Sequence, residues 1–344
     1  MNKKNLSIFT RKIFIFLIPV FLLVAWYLNS DPFKVLHTYK CYENKPIELN
    51  QGYISWQSFL SNRDSLKYDS FILGNSCTMA YPTTIWKPFL VNGIPIRLNA
   101  NNESLYGIYK KIKRLDQSGV SLKNVLLLLD HSTLRKVVKN KSHTRILHPD
   151  ISGMENTEFQ KEFITAFFNP NFLIPYIDFR IFNTYRKYMR GVVMEKDDHR
   201  NQLTNDIINP REFEIKKLEE GYWVKRKKEF PIREVDIDDY SQVIFNKQKK
   251  MLGEICEILK KHNTDYRIII NPEWSQKRLN RKDLSELQNI FETDRIHNFS
   301  GKNIYTDNKE FFYEKSHYRP LLGKIILQKI YNNKCSFTGS HNLN

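Results

Sequence analysis

The sequence predicts an α/β fold: a three-layer α/β/α sandwich around a mostly parallel five-stranded sheet, with an N-terminal membrane helix and a helical insertion. Three observations carry this expectation. Short apolar runs recur at wide intervals, several of them separated by segments whose apolar residues are spaced by three and four. A charge-free apolar stretch stands behind a basic N-terminus, and one long aromatic-rich segment breaks the alternation of strand and helix.

Residues 1–29 read as a cytoplasmic stub and membrane anchor. Ile13 to Leu28 carry no charge, follow Lys3, Lys4, Arg11 and Lys12, and close on Trp26 and Tyr27, residue types favoured at the membrane interface. The natural rival is a cleaved signal peptide, since the run is short for a span and contains Pro19. Bulky Trp26 and Tyr27 after Ala25 make a poor cleavage site, so an uncleaved anchor is expected. The basic flank stays in the cytoplasm, which puts everything after Asn29 on the outer side of the inner or plasma membrane.

Residues 30–65 form a connecting segment, and 66–134 the first part of the sandwich. Expected strands are Ser70–Leu73, Ile94–Leu98 and Val125–Leu129. Between the last two, Leu105, Ile108, Ile112 and Leu115 mark a helix closed by Gly119. Residues 135–238 are too long for one crossover and are read as an inserted helical or cap region. Its aromatics, Phe167, Phe168, Phe172, Tyr176, Phe179, Phe182, Tyr185 and Tyr188, are expected to be core rather than a carbohydrate platform. The second part of the sandwich, 239–331, holds a helix over Asp239–Lys261, strands at Arg267–Ile270 and Asn303–Tyr305, and a last helix over Leu321–Tyr331. Residues 332–344 read as a flexible tail.

Hydrophobic residues at 41% and aromatics at 13% are compatible with a globular body, and disorder is not the default. The 54 Lys plus Arg against 37 Asp plus Glu favour anionic headgroups or acidic polysaccharide as neighbours. Nucleic acid is not expected, because an outward-facing domain rarely meets it and no recognition motif is present. The run Lys225-Arg226-Lys227-Lys228 reads as a solvated face. Cys41, Cys77, Cys256 and Cys335 have no metal-ligand spacing, and Asp197-Asp198-His199 reads as a solvated loop. No metal and no cofactor are expected.

Two distant segments carry the chemistry. Phe71-Ile72-Leu73-Gly74-Asn75-Ser76 is a buried strand that breaks at a glycine and presents a serine on the turn beyond it. Glu314-Lys315-Ser316-His317-Tyr318 supplies an acid and a histidine three residues apart, just before the last helix. A serine hydroxyl is a poor nucleophile near neutral pH and needs a base within hydrogen-bonding reach, an acid to orient that base, and donors for the oxyanion. Ser76, His317 and Glu314 fit the first three roles.

Together these segments resemble the SGNH (GDSL-like) hydrolase superfamily, in which a Gly-Asp-Ser-like block follows the first strand and an Asp-x-x-His block precedes the last helix. The resemblance implies an acyl-serine mechanism, with Ser76 N–H, and Asn101 in the second block Leu98-Asn99-Ala100-Asn101, as oxyanion donors. This chain has glutamate at 314 where the family usually shows aspartate. It lacks the second-block glycine, and Asp130-His131-Ser132 follows the third strand where the family commonly has Gly-x-Asn. The anchor and the divergent middle also resemble the membrane-anchored branch linked to O-acylation of surface polysaccharides, whose members work beside membrane-bound O-acyltransferases. The function so implied is an extracytoplasmic acyl esterase or O-acyltransferase on ester groups of a surface glycan. The alternative is a non-catalytic protein of the same fold that binds glycan or docks a membrane O-acyltransferase.

Overall fold

The computed structural model describes residues 3–42, 47–195, 199–233 and 239–332. Its central sheet contains β1 (Ser70–Gly74), β2 (Pro95–Asn99), β3 (Asn124–Leu129), β4 (Asp265–Ile270) and β5 (Ile296–Asn298). The longer helices are α1 (Lys3–Ser30), α2 (Gln51–Leu66), α3 (Leu105–Gln117), α4 (Asn156–Phe167), α5 (Pro170–Phe182), α6 (Asn246–Lys261), α7 (Arg281–Ile290) and α8 (Pro320–Asn332). The chain divides into two compact units, one of residues 1–49 and 155–195, the other of residues 50–154 and 196–344. Residues 135–238 are thus shared between the two.

The larger unit is a three-layer α/β/α sandwich. Strand order is β2-β1-β3-β4-β5 and every neighbouring pair is parallel. Side chains alternate across the sheet because successive residues of a strand point to opposite faces. Phe71, Leu73, Val125, Leu127, Leu129, Ile268 and Ile270 pack on one face with Ile108 and Ile112 of α3 and Leu252 and Ile255 of α6. Ile72, Leu126, Leu128 and Ile269 face the other way, toward Leu322, Ile326 and Ile330 of α8. Both faces are therefore covered, as an all-parallel sheet requires. The β2 edge is closed by the segment around the small hairpin of His199–Arg200 and Ile207–Ile208: Arg97 N–H donates to Thr204 O at 3.0 Å, and the Asn205 amide donates to Arg97 O at 2.7 Å.

Two expectations need correction. Asn303–Tyr305 is no strand; the fifth strand is Ile296–Asn298, paired with β4. Asn303 instead caps a short helix, Ile304–Asp307, accepting from Tyr305 N–H at 2.9 Å, and Ile304 faces solvent. The helix expected from Asp239 begins at Asn246. The Asp283 carboxylate takes the N–H groups of Val243 and Ile244, which withdraws them from any helix.

In the smaller unit, aromatic packing dominates. Trp26 stacks on Tyr176 with ring centroids 5.0 Å apart, Tyr27 meets Phe33 and Phe167, and Phe33 meets Phe163 and Phe172. Phe167, Phe172 and Tyr176 are core, as expected, whereas Phe182 and Tyr188 are exposed. Ser7–Ser30 is long and apolar enough to cross a membrane, and Phe14, Phe16 and Leu22 on it are exposed. Asp197 and Asp198 of the acidic loop, Cys335 and the tail beyond Asn332 lie outside the described residues. Among the described residues Cys41, Cys77 and Cys256 are free thiols, and no cluster of metal-ligating side chains is found.

Candidate active site at the carboxyl ends of the strands

The strand order places β2 to one side of β1 and β3 to the other, so the crossovers diverge at the carboxyl ends of β1 and β3. Open parallel sheets bind ligands at such a point. β1 ends there on Gly74, whose φ is +151°, and an added Cβ would lie 2.8 Å from Leu128 Cβ. Both the conformation and the close approach of β3 require glycine. The chain then turns into a short 3₁₀ segment, Ser76–Ala80, capped by Asn75, whose side-chain oxygen accepts from Cys77 N–H at 2.9 Å. Ser76 thereby stands at the first position of the turn, where its own N–H has no partner within the turn.

The histidine and acid come from a small hairpin, Phe312–Glu314 paired antiparallel with His317–Tyr318, with Glu314 opposite His317. Its backbone is propped by Tyr222 O–H on Tyr313 O at 2.8 Å and Trp223 Nε1–H on Phe312 O at 3.1 Å. α8 follows at once and packs on the serine turn. At Gly323 a Cβ would fall 1.9 Å from Ala80 O, so only glycine allows the helix so near.

The two segments, 241 residues apart, meet with Ser76 Oγ 2.7 Å from His317 Nε2. His317 Nδ1 contacts Glu314 Oε1, and Glu314 Oε2 accepts from Ser316 N–H at 2.9 Å. The carboxylate selects the tautomer with hydrogen on Nδ1, leaving Nε2 to accept from the serine hydroxyl. Burial alone would raise the Glu314 pKa. The hydrogen bond and charge of His317, with Ser316 N–H, outweigh burial and hold it below the ordinary carboxylate range. Of the four residues named from the sequence, Ser76, His317 and Glu314 are thus brought together. Asn101 lies in the turn after β2 and lines a neighbouring cavity.

A second tier of contacts was not assigned from the sequence. The Asn75 amide donates to Asp130 Oδ2 at 2.5 Å, and the Asn271 amide donates to the same oxygen at 3.3 Å. Tyr318 O–H donates to Asn271 Oδ1 at 2.9 Å, tying the histidine hairpin to the end of β4. Asp130 also caps the short helix His131–Arg135 through Thr133 N–H. Glu273 accepts from Tyr240 O–H at 2.6 Å, and burial and the charge of Asp130 push its pKa above the ordinary range. The available signal was position: Asp130 and Asn271 each directly follow a strand, where open α/β sheets carry their functional groups. His131 stacks on Tyr240 with centroids 4.3 Å apart.

Cys77 packs beneath the turn with its thiol 3.6 Å from Ser316 O, and burial, then Asp130, Glu273 and Glu314, push its pKa well up. It stays a neutral thiol, unsuited to redox chemistry. Comparison with models of known families and with curated proteins finds no match for this chain.

Proposed function

We propose that this chain is an SGNH-like serine acyl esterase or O-acyltransferase, anchored by α1 and acting outside the cytoplasm on ester groups of a surface glycan. The observation that carries the reading is the hydrogen-bonded series Ser76, His317, Glu314, assembled from two distant segments at the strand ends. In the reaction, Ser76 Oγ bonds to the acyl carbonyl carbon as its proton passes to His317 Nε2. Collapse of the tetrahedral intermediate breaks the ester C–O bond, and Nε2 returns the proton to the departing hydroxyl. Water or a sugar hydroxyl then attacks the acyl-serine, again giving its proton to His317, and Ser76 is released with that proton. Ser76 N–H, at the start of its turn, is the donor best placed for the oxyanion.

Anchoring rather than signal cleavage is supported by Trp26 and Tyr27, which pack on Tyr176 and Phe167 within the smaller unit. Cleavage near Ala25 would sever that packing from the helix. The basic residues before α1 support an outward-facing body.

A second reading, a non-catalytic glycan-binding or acyltransferase-docking protein, is favoured by one observation. A carboxylate, Asp130, bonded to the Asn75 amide, follows the third strand where the resemblance implies an asparagine donor. Turnover separates the two. Purified full-length protein in detergent is expected to release acetate from an acetylated glycan or a chromogenic acetate ester, and the Ser76→Ala protein is expected to release none. Equal rates from both proteins would leave the non-catalytic reading.

A further inference from the structure

Beside the candidate site, on its β2 side, lies a cavity of about 270 Å³ whose lining includes Asn101, Arg135, Lys136, Lys139 and Arg145. Its position follows from the fold. Ala100, at its base, donates its N–H to Gly74 O at 3.3 Å, two residues before the nucleophile. Arg135 ends the short helix that Asp130 caps, and Asp130 in turn holds Asn75. The cavity and the serine turn therefore share the carboxyl ends of β1, β2 and β3.

Three of these cations, Arg135, Lys136 and Arg145, lie close together, and Glu103 also lines the cavity. Arg135 and Arg145 are solvent-exposed. Lys136 reaches Asn102, not a carboxylate. Burial and the nearby charges of Arg145 and Arg135 lower its pKa, against the opposing pull of Asp130 and Glu103. Those two carboxylates are committed elsewhere. Glu103 is buried against Lys111 at 2.6 Å and takes Ser104 N–H, while Asp130 takes two amide groups and a backbone N–H. Like charges held together at a concave surface repel one another unless an anion joins them, and arginine forks match carboxylate and phosphate oxygens.

We propose that this cavity is a binding subsite for an oxyanion substituent, carboxylate or phosphate, carried by a polymer chain. Naming that polymer as the acylated glycan rests on the proposed function; the anion site does not. The polymer would lie with one anionic group among Arg135, Lys136 and Arg145, which sets the register of a neighbouring residue against Ser76. Asn101 lines the same cavity.

The test uses full-length protein in detergent, with fluorescent oligogalacturonate as the carboxylate probe, oligo(glycerol phosphate) as the phosphate probe and maltoheptaose as the neutral control. Wild type is expected to bind one or both anionic probes and not the neutral one. The R135Q/R145Q protein, with an unchanged melting temperature, is expected to bind them roughly 10- to 100-fold more weakly. Because the whole chain carries a net charge of +17, a K227Q/K228Q protein serves as the charge-matched control and is expected to bind like wild type. Which probe binds identifies the anion. Binding equal in all three proteins, equal loss in both variants, or no preference for the anionic probes would overturn the subsite. Reaction of wild-type Ser76 with a phosphonate is read in parallel. Charge-dependent binding without that reaction keeps the subsite and removes the esterase reading, whereas reaction with no charge-dependent binding does the reverse.

Discussion

The two halves of the candidate site are built by different means. Ser76 is placed by the core: a fully buried strand, a glycine that its own conformation and the approach of β3 both require, and a turn pinned under α8. His317 and Glu314 are placed by a hairpin of two very short strands, held by side chains from elsewhere in the chain: Tyr222, Trp223 and, through Tyr318, Asn271. A nucleophile fixed by the sheet moves only if the domain unfolds, whereas a base fixed by a propped hairpin responds to local opening. Changes on the serine side should therefore cost stability unless they are confined to the hydroxyl. Changes on the hairpin side should cost activity first.

The largest expected effect isolates the chemistry from both frameworks. Ser76→Ala removes one oxygen and little packing, and should lower acyl release by about 10⁴-fold or more with an unchanged melting temperature. His317→Ala should be similarly severe. Glu314→Gln should be milder, about 10²- to 10⁴-fold, because the carboxylate orients the base without receiving the reacting proton. Steady-state rates on matched, folded protein check the order. A Glu314→Gln enzyme as impaired as His317→Ala would mean that the acid has a larger part than orientation.

The framework itself can be broken on the serine side. Gly74→Ala places a methyl 2.8 Å from Leu128 Cβ at a φ that side chains rarely adopt, and should destabilise the sheet unit by roughly 2–4 kcal/mol in denaturant titration. On the hairpin side, Tyr222→Phe removes one hydrogen bond to Tyr313 O and should cost only about 1 kcal/mol of stability. It should nevertheless lower kcat and speed hydrogen exchange at residues 312–318. A large stability loss with normal exchange would erase the distinction between the two halves.

Much of this contrast was legible in the sequence, and the reason is local. Short buried strands announce themselves as apolar runs, and Gly74 before Asn75-Ser76 marks where one of them must break. Glu314 and His317 are close in the chain, so their pairing needs only a tight hairpin. The props were not legible, because Asn75 with Asp130 and Tyr318 with Asn271 are contacts that only the folded sheet creates. The fifth strand was misplaced for a related reason. Asn303, Ile304 and Tyr305 look strand-like by composition, yet the Asn303 side chain satisfies the backbone of a helical turn, while the polar Ile296-His297-Asn298 pairs with β4.

Acid sharpens the comparison without any substitution. His148 caps a short helix by accepting from Asp150 N–H on Nδ1, pairs Nε2 with Gln57 and stacks on Tyr53. Burial lowers its pKa from near 6.5 to about 4. The unfolded chain takes up this proton first, so the neutral histidine contributes fully above pH 6.5, and the contribution falls as pH drops toward 4, by roughly 1–3 kcal/mol. Glu314 has the same direction of dependence in a more acid window. With its folded pKa depressed, its contribution is present above the ordinary carboxylate range and is lost only as pH falls through the lower folded value. Mild acid should therefore weaken the sheet unit before the Glu314–His317 pair is lost, and His148→Gln should flatten the stability profile between pH 6.5 and 4.

The central claim, that Ser76 is a nucleophile activated by His317, is tested most directly by treating the full-length protein with a fluorophosphonate and measuring intact mass and the modified peptide. The account predicts one adduct per chain, on Ser76, formed by wild type, strongly slowed in His317→Ala and absent in Ser76→Ala. No adduct on folded wild-type protein, or an adduct formed equally well by the Ser76→Ala protein, would contradict it.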